Sequence, residues 1–292
     1  MIIGFVGDIH GSVYHMFVAV ATWQTKTSKR FDLIIQAGDI GAYPNKDQTD
    51  PADDPHFAAD PSEADFARML KADGKQAEAL RSLRQQFASP VYCIRGNHED
   101  FDWLNGLPQD QETGIARMDS FDLLHYVPDG TVQQFGDVCI AFLGGEETDE
   151  SDPGAIDRDA YESLMELEPG KVDLLVTHDG PYGLSIGYHG QTQGSQLITD
   201  LVAHIQPTYH VSGHYHMNGP RMYGETTYLC LSHITKSRRW YPDAQGLQEG
   251  CLAVLDTDDG TLAPVTDSWL ESIETPVDLG AWYTPTTDIK TP

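Results

Sequence analysis

The stretch "VYCIRGNHED", Val91 to Asp100, decides how this chain is read. A short apolar run ends in an arginine, a glycine, an amide, a histidine and two acids. Four other runs share that shape: "IIGFVGD" (2–8), "DLIIQAGD" (32–39), "DLLVTHD" (173–179) and "TYHVSGH" (208–214). Each is nearly all apolar until its last residue or two. Continuous apolar runs suit strands buried on both faces, as in α/β sheets. Helical patterns lie between some of them, at roughly 11–25, 61–88 and 194–205. In the second, Ser62 and the acids after it read as an N-terminal cap. Residues 121–145 read as strand, turn, strand, strand, with Asp129–Gly130 and Gly136–Asp137 at the turns; 226–234 and 250–260 are also β-patterned. This mixture of βα units and antiparallel strands predicts one domain of two packed mixed sheets flanked by helices.

The bulk composition narrows the classes. Hydrophobic residues make up 40 % of 292, enough for a real core, and 18 basic against 45 acidic residues leave a net charge of −27. Such a surface repels nucleic-acid backbones and anionic membranes, so nonspecific binding to either is disfavoured. The cysteines Cys93, Cys139, Cys230 and Cys251 lack any C-x-x-C spacing and sit in apolar runs, which reads as small reduced core residues. The first residues have no basic region before a short apolar run, and no apolar run reaches 18 residues. The expectation is a soluble cytoplasmic protein. Residues 43–61, rich in Pro and Asp, read as an acidic, solvated surface insertion in a domain spanning 1–270. Residues 271–292 read as a loosely packed tail.

The polar pieces at the run ends carry the chemistry. They are Asp8 and His10 in "GDIHG", Asp39 in "GDIG", Asn97 and His98 in "GNHE", His178 in "THDG", and His214 and His216 in "GHYH". Ligands of α/β sheets bind beyond the carboxyl ends of strands, so five such tips can converge on one crevice. Imidazole and carboxylate suit borderline divalent metals such as Zn, Mn or Fe. On extended backbone, the Asp-x-His and His-x-His pairs would each place both side chains on one side.

The ordered set resembles the calcineurin-like metallophosphoesterases, whose pattern is D-x-H, GD, GNH[ED], a lone His and GH-x-H. The resemblance covers about residues 1–235. It implies a four-layer α/β/β/α sandwich of two mixed β-sheets flanked by helices, with two divalent ions (Mn, Fe or Zn) at the strand ends. By that resemblance Asp8, His10 and His216 hold one metal, Asn97, His178 and His214 the other, and Asp39 bridges them. His98 would orient the phosphate and protonate the leaving oxygen. The implied activity is hydrolysis of a phosphomonoester or phosphodiester, with two ions activating a water for in-line displacement. Glu99 and Asp100 are candidates, by proximity, to fix the His98 ring.

Weaker signals surround these. Arg95 occupies a position where the protein Ser/Thr phosphatase branch contacts phosphate, but that branch has "GDxVDRG" where this chain has "GDIGAYP". Arg95 is therefore read equally as substrate contact or as structure. His189, in the Gly-rich "GYHGQTQGS", is a candidate pocket residue, and "KSRRW" (236–240) a candidate for a distal phosphate or a solvated turn. His15, His56, His125, His204, His210 and His233 lack motif support. "GNHEDFDWLNGLP", "THDGPYG" and "HIQPTYHVSGHYH" are similar to the RNA lariat debranching enzymes, which implies a phosphodiesterase acting on 2′,5′-linked or nucleotide-like substrates. Asp8 stands where that branch commonly carries cysteine, and the −27 charge suits a small substrate better than RNA. The favoured expectation is a phosphoesterase of a small or nucleotide-like substrate. A non-catalytic metal-binding scaffold is the rival, and the presence of every expected ligand and of His98 counts against it.

Overall fold

The apolar runs are strands buried on two faces, because each sheet is covered by helices on one side and by the other sheet on the other. In the computed structural model, which describes residues 1–183, 185–186, 192–216, 219–236 and 243–279, the chain builds two large sheets. The first has seven strands in the order Thr261–Pro264, Leu252–Asp256, Ile2–Val6, Leu33–Gln36, Val91–Cys93, Leu124–Tyr126 and Ala116–Arg117. The second has six: Pro220–Tyr223, Thr226–Cys230, Tyr209–Ser212, Leu174–Thr177, Val138–Leu143 and Val132–Phe135. In each, a block of parallel strands is edged by antiparallel ones. Parallel neighbours end at the same edge, so the polar tips of each sheet come together.

Alternate side chains of each strand feed different cores. Ile3, Phe5, Ile35, Ile140, Phe142, Val176 and Leu229 fill the space between the sheets. Val6, Ile34, Val91 and Cys93 face the helices Val13–Thr27, Asp65–Leu70 and Gly74–Gln86. Ala141, Leu143 and Leu175 face Arg158–Met165 and Gln196–Ile205. The result is the expected four-layer α/β/β/α sandwich. Each fully buried Phe of the central layer contributes about 1.5–3 kcal/mol relative to exposure. All four cysteines are free, and Cys93, Cys230 and Cys251 are buried. Among the described residues no helix is long and apolar enough to cross a membrane.

Three local expectations need correction. The pattern over 61–88 is not one helix: a 3-10 turn Pro61–Ala64 leads into Asp65–Leu70, and a new helix starts at Gly74, whose φ of 49° breaks the run. Ser62 is not the cap. The Asp60 carboxylate accepts from the Ser62 backbone N–H (3.1 Å) and hydroxyl (2.6 Å), and Ser62 Oγ also meets Ser12 Oγ at 2.8 Å. The start of the 271–292 segment is packed rather than loose: Ile273 and Leu279 are buried in the helix-side core, while 280–292 lie outside the described residues.

Residues 43–61 also differ from a solvated loop. They fold around Lys46, whose ammonium pairs with Asp54 (2.5 Å) and Glu63 (3.5 Å) and lies over the Tyr43 and Phe57 rings. Asp54 caps the short helix Pro55–Ala59 by accepting from the His56 and Phe57 N–H groups. Ion pairs and caps, not an apolar stripe, hold this segment, which is why no periodicity betrays it.

Candidate metal centre

The five tips do meet. Three come from the first sheet (Asp8, Asp39, Asn97) and two from the second (His178, His214), so the crevice lies where the two sheets end together. Two groups of side chains gather there: Asp8, His10 and His216, and Asp39, His178 and His214, with the ligand atoms of each within 4.8 Å of one another. Asp39 faces both, with Oδ2 3.5 Å from His10 Nε2 and Oδ1 3.4 Å from His178 Nε2. Asn97 Oδ1 is 3.1 Å from His178 Nε2. His216 Nε2 lies 2.8 Å from Asp8 Oδ2.

The backbone that aims these groups is not extended. His10, Asp39, His214 and His216 all have positive φ (41°, 52°, 63° and 51°). Each costs of order 1–3 kcal/mol, and such strain persists only where surrounding contacts over-determine it. The His214/His216 pair therefore splits between the two groups rather than lying on one side, as an extended segment would require. The surrounding contacts are visible. The Asn97 and His98 N–H groups both donate to Asp39 Oδ1 at 2.9 Å. The buried Glu99 carboxylate accepts from the N–H groups of Ile40 (2.8 Å), Ala42 (2.7 Å) and Gly96 (3.3 Å), stapling the Asp39 loop to the Asn97 loop. The Gln36 side chain donates to the Gly7 and Gly38 carbonyls. Gly96 is there for clearance rather than for an unusual φ: a Cβ would sit 2.1 Å from Asp39 Oδ1 and 2.3 Å from Asp39 N. Ring orientation at His178 comes from Nδ1, 2.9 Å from the Ala37 carbonyl, which turns Nε2 toward the centre.

Charge at the centre is balanced on histidine. Burial raises the Asp8 carboxyl, but His216, His178 and His10 outweigh it and hold it well below the usual range; Asp39 is lowered in the same way, chiefly by His178 and His10. Burial also lowers His10, against the pull of Asp39 and Asp8. At His214 burial opposes the charge, yet Glu146, Asp179 and Asp8 push it up to about 9. Two buried carboxylates among four imidazoles and an amide oxygen fit divalent cations of the Mn, Fe or Zn class.

His98 is exposed, with its ring 5.2 Å from that of His10, and both line a groove of about 550 Å³. Neither neighbouring acid holds its ring. Glu99 is spent on backbone N–H groups, where burial and Asp39 push it up to about 8, and Asp100 caps the helix Phe101–Asn105 through the Trp103 N–H (3.0 Å). Arg95 is also committed elsewhere: Nε is 2.6 Å from Asp129 Oδ2, and the other two nitrogens donate to the carbonyls of Pro153 (3.2 Å) and Ala155 (2.7 Å). These bonds are what its structural alternative requires. His189 and 237–240 lie outside the described residues.

Motif reasoning passes over several site residues. His233 stacks on His10 (5.0 Å between centroids, 25° between planes) and meets His216 edge-on at 5.2 Å. Burial, with His10 and His216 nearby, brings its pKa down to about 3, so it is a neutral wall of the groove. The 43–61 segment supplies the facing wall through Tyr43, Lys46 and His56. Glu146 reaches both Asn97 and His214. A polar residue after an apolar strand, as in "CIAFLGGEE" (139–147), was the one signal available for Glu146.

The model of the calcineurin-like phosphoesterase family matches residues 1–218. A UPF0046 protein of Caenorhabditis elegans is 26 % identical over 181 residues, 57 % of this chain and 61 % of its own. A second UPF0046 protein of the same worm is 30 % identical over 129 residues, 42 % of this chain and 31 % of its own. The chain thus spans less than two thirds of the length of these curated relatives. One solved structure covers 90 % of this chain and 97 % of its own with a TM-score of 0.52 at 11 % identity, a likeness of fold.

Proposed function

The chain belongs to the calcineurin-like phosphoesterase family, and we propose that it is a phosphoric ester hydrolase acting at a two-metal centre on a small or nucleotide-like phosphoester. The observation that carries this reading is Asp39, one carboxylate facing both ligand groups. Asp8, His10 and His216 would hold one ion, and Asn97, His178 and His214 the other. When bound, such ions polarise the phosphoryl oxygens and make a water nucleophilic near neutral pH.

The chain's own residues do the rest. With the ions bound, the water oxygen would add to phosphorus and release a proton to solvent as the P–O bond to the alcohol breaks on the opposite side; a ring N–H of His98 would give its proton to the departing oxygen and be reprotonated from solvent. The exposed His98 ring at the groove supports that role. The groove has the volume of a small-ligand site. Lys46, neutralised by Asp54 and Glu63, shapes its wall rather than offering a free charge.

The test is turnover with Mn²⁺ on p-nitrophenyl phosphate, bis-p-nitrophenyl phosphate and a 2′,5′-linked dinucleotide. Turnover of diesters alone makes it a phosphodiesterase, and preference for the dinucleotide favours the debranching-like reading. Two bound metals with no turnover of any would sink the enzyme reading in favour of a scaffold. His98→Ala should keep the metal content and lower turnover by about 10²–10⁴; loss of metal would refute its role.

A further inference from the structure

Glu146 stands behind the second ligand group and uses both of its oxygens there. Oε1 accepts from Asn97 Nδ2 at 3.2 Å, and Oε2 lies 3.2 Å from His214 Nε2. An ionised carboxylate only accepts hydrogen bonds, so it dictates what faces it. The NH₂ end of Asn97 must point to Glu146, which turns Oδ1 toward His178 Nε2 and the centre. Glu146 likewise keeps a proton on His214 Nε2, so Nδ1 is the nitrogen that would give up its proton to a metal. We propose that Glu146 is the positioning residue of the second metal site, setting the amide orientation of Asn97 and the tautomer of His214 at once.

The carboxylate is itself held firmly. Glu146 N–H donates to the Gly154 carbonyl and its own carbonyl accepts from Ile156 N–H, both at 2.9 Å. Next door, Glu147 N–H donates to Asp179 Oδ2 (2.9 Å), and the Glu147 carboxylate accepts from Ser195 Oγ (2.7 Å) and Leu197 N–H (3.0 Å) at the start of the helix Gln196–Ile205. Asp179 in turn accepts from the Tyr215 hydroxyl at 2.7 Å, beside His214. The loop after Val138–Leu143 is therefore a rigid support, and partners that fix metal ligands from behind typically change metal affinity 10–100-fold.

The inference rests on the two-metal reading, and Mn²⁺ titration calorimetry separates the two. Wild-type protein should bind two ions; fewer than two would overturn the reading itself. Given two, Glu146→Ala should keep one ion at wild-type affinity and bind the other about 10–100-fold more weakly. Low-temperature electron paramagnetic resonance should show loss of the coupled Mn pair at sub-saturating metal. Glu146→Gln should fall between, because its amide oxygen can still accept from Asn97 while its NH₂ cannot accept from His214; it also serves if the alanine variant does not fold. Retention of both ions at unchanged affinity in the variants would overturn the proposal. So would equal weakening of both sites, which marks a merely structural role.

Discussion

Replacing Gly96 by alanine tests the centre at its tightest point. The added Cβ would lie 2.1 Å from Asp39 Oδ1 and 2.3 Å from Asp39 N. Carbon and oxygen settle at about 3.3 Å even in a favourable C–H···O contact, so the clash is short by about 1 Å. Rotating the Asp39 side chain cannot relieve it, because the backbone nitrogen is equally close. The shift also breaks the paired N–H bonds from Asn97 and His98 to Asp39 Oδ1. Overpacking of this kind costs about 1–3 kcal/mol, which lowers the melting midpoint by several degrees. The larger effect is on chemistry: Asp39 faces both ligand groups, metal sites tolerate about 0.2 Å, and a 1 Å misplacement costs about 10²-fold in rate. Gly96→Ala should therefore lose metal from both sites and fall about 100-fold in turnover of a p-nitrophenyl ester. Gly106→Ala is the control, since its Cβ would come no nearer than 3.2 Å to Asp102 O. Full metal content and wild-type turnover in Gly96→Ala would refute the argument.

Arg95→Ala should destabilise by about 3–5 kcal/mol, because it strands the largely buried Asp129 carboxylate, while KM barely changes; a large KM rise at normal stability would return Arg95 to the substrate. Burial pushes the Asp65 carboxyl up to about 7 despite Arg68, so the folded state holds that proton more tightly than the unfolded chain. The associated stability is fully present below about pH 4 and is lost as pH rises toward 7. Urea midpoints should fall over that window and flatten in Asp65→Asn; an equal fall in the variant would refute the assignment. The −27 charge predicts that the melting midpoint rises with KCl from about 0.1 M to about 2 M as the Debye length shrinks, and a flat salt profile would contradict it.

The class of fold and the core of the site were legible because both are written in local pattern. A strand buried on both faces must be apolar throughout, so Ile2–Val6 and Leu174–Thr177 announce themselves without any knowledge of their partners. The polar residue types that close such runs, from Asp8 to His216, already name a metal-type donor set. Contacts across the fold left no such trace. Lys46 holds an insertion by ion pairs, which have no period, and His233 follows an ordinary strand yet stacks on His10 more than 200 residues earlier in the chain.

What the amino-acid order alone determined is which chemistry this protein carries and that strand ends present it. Tertiary structure decided the backbone geometry by which that chemistry is divided between two groups. His214 and His216 are two residues apart yet serve different groups, because both adopt a left-handed backbone that local spacing does not reveal. Glu146 reaches Asn97 across 49 positions only because the ends of two separate sheets meet there. Periodicity reports the burial of one strand; the pairing of strands into sheets, and the loops that strain at their ends, arise only when the whole chain packs.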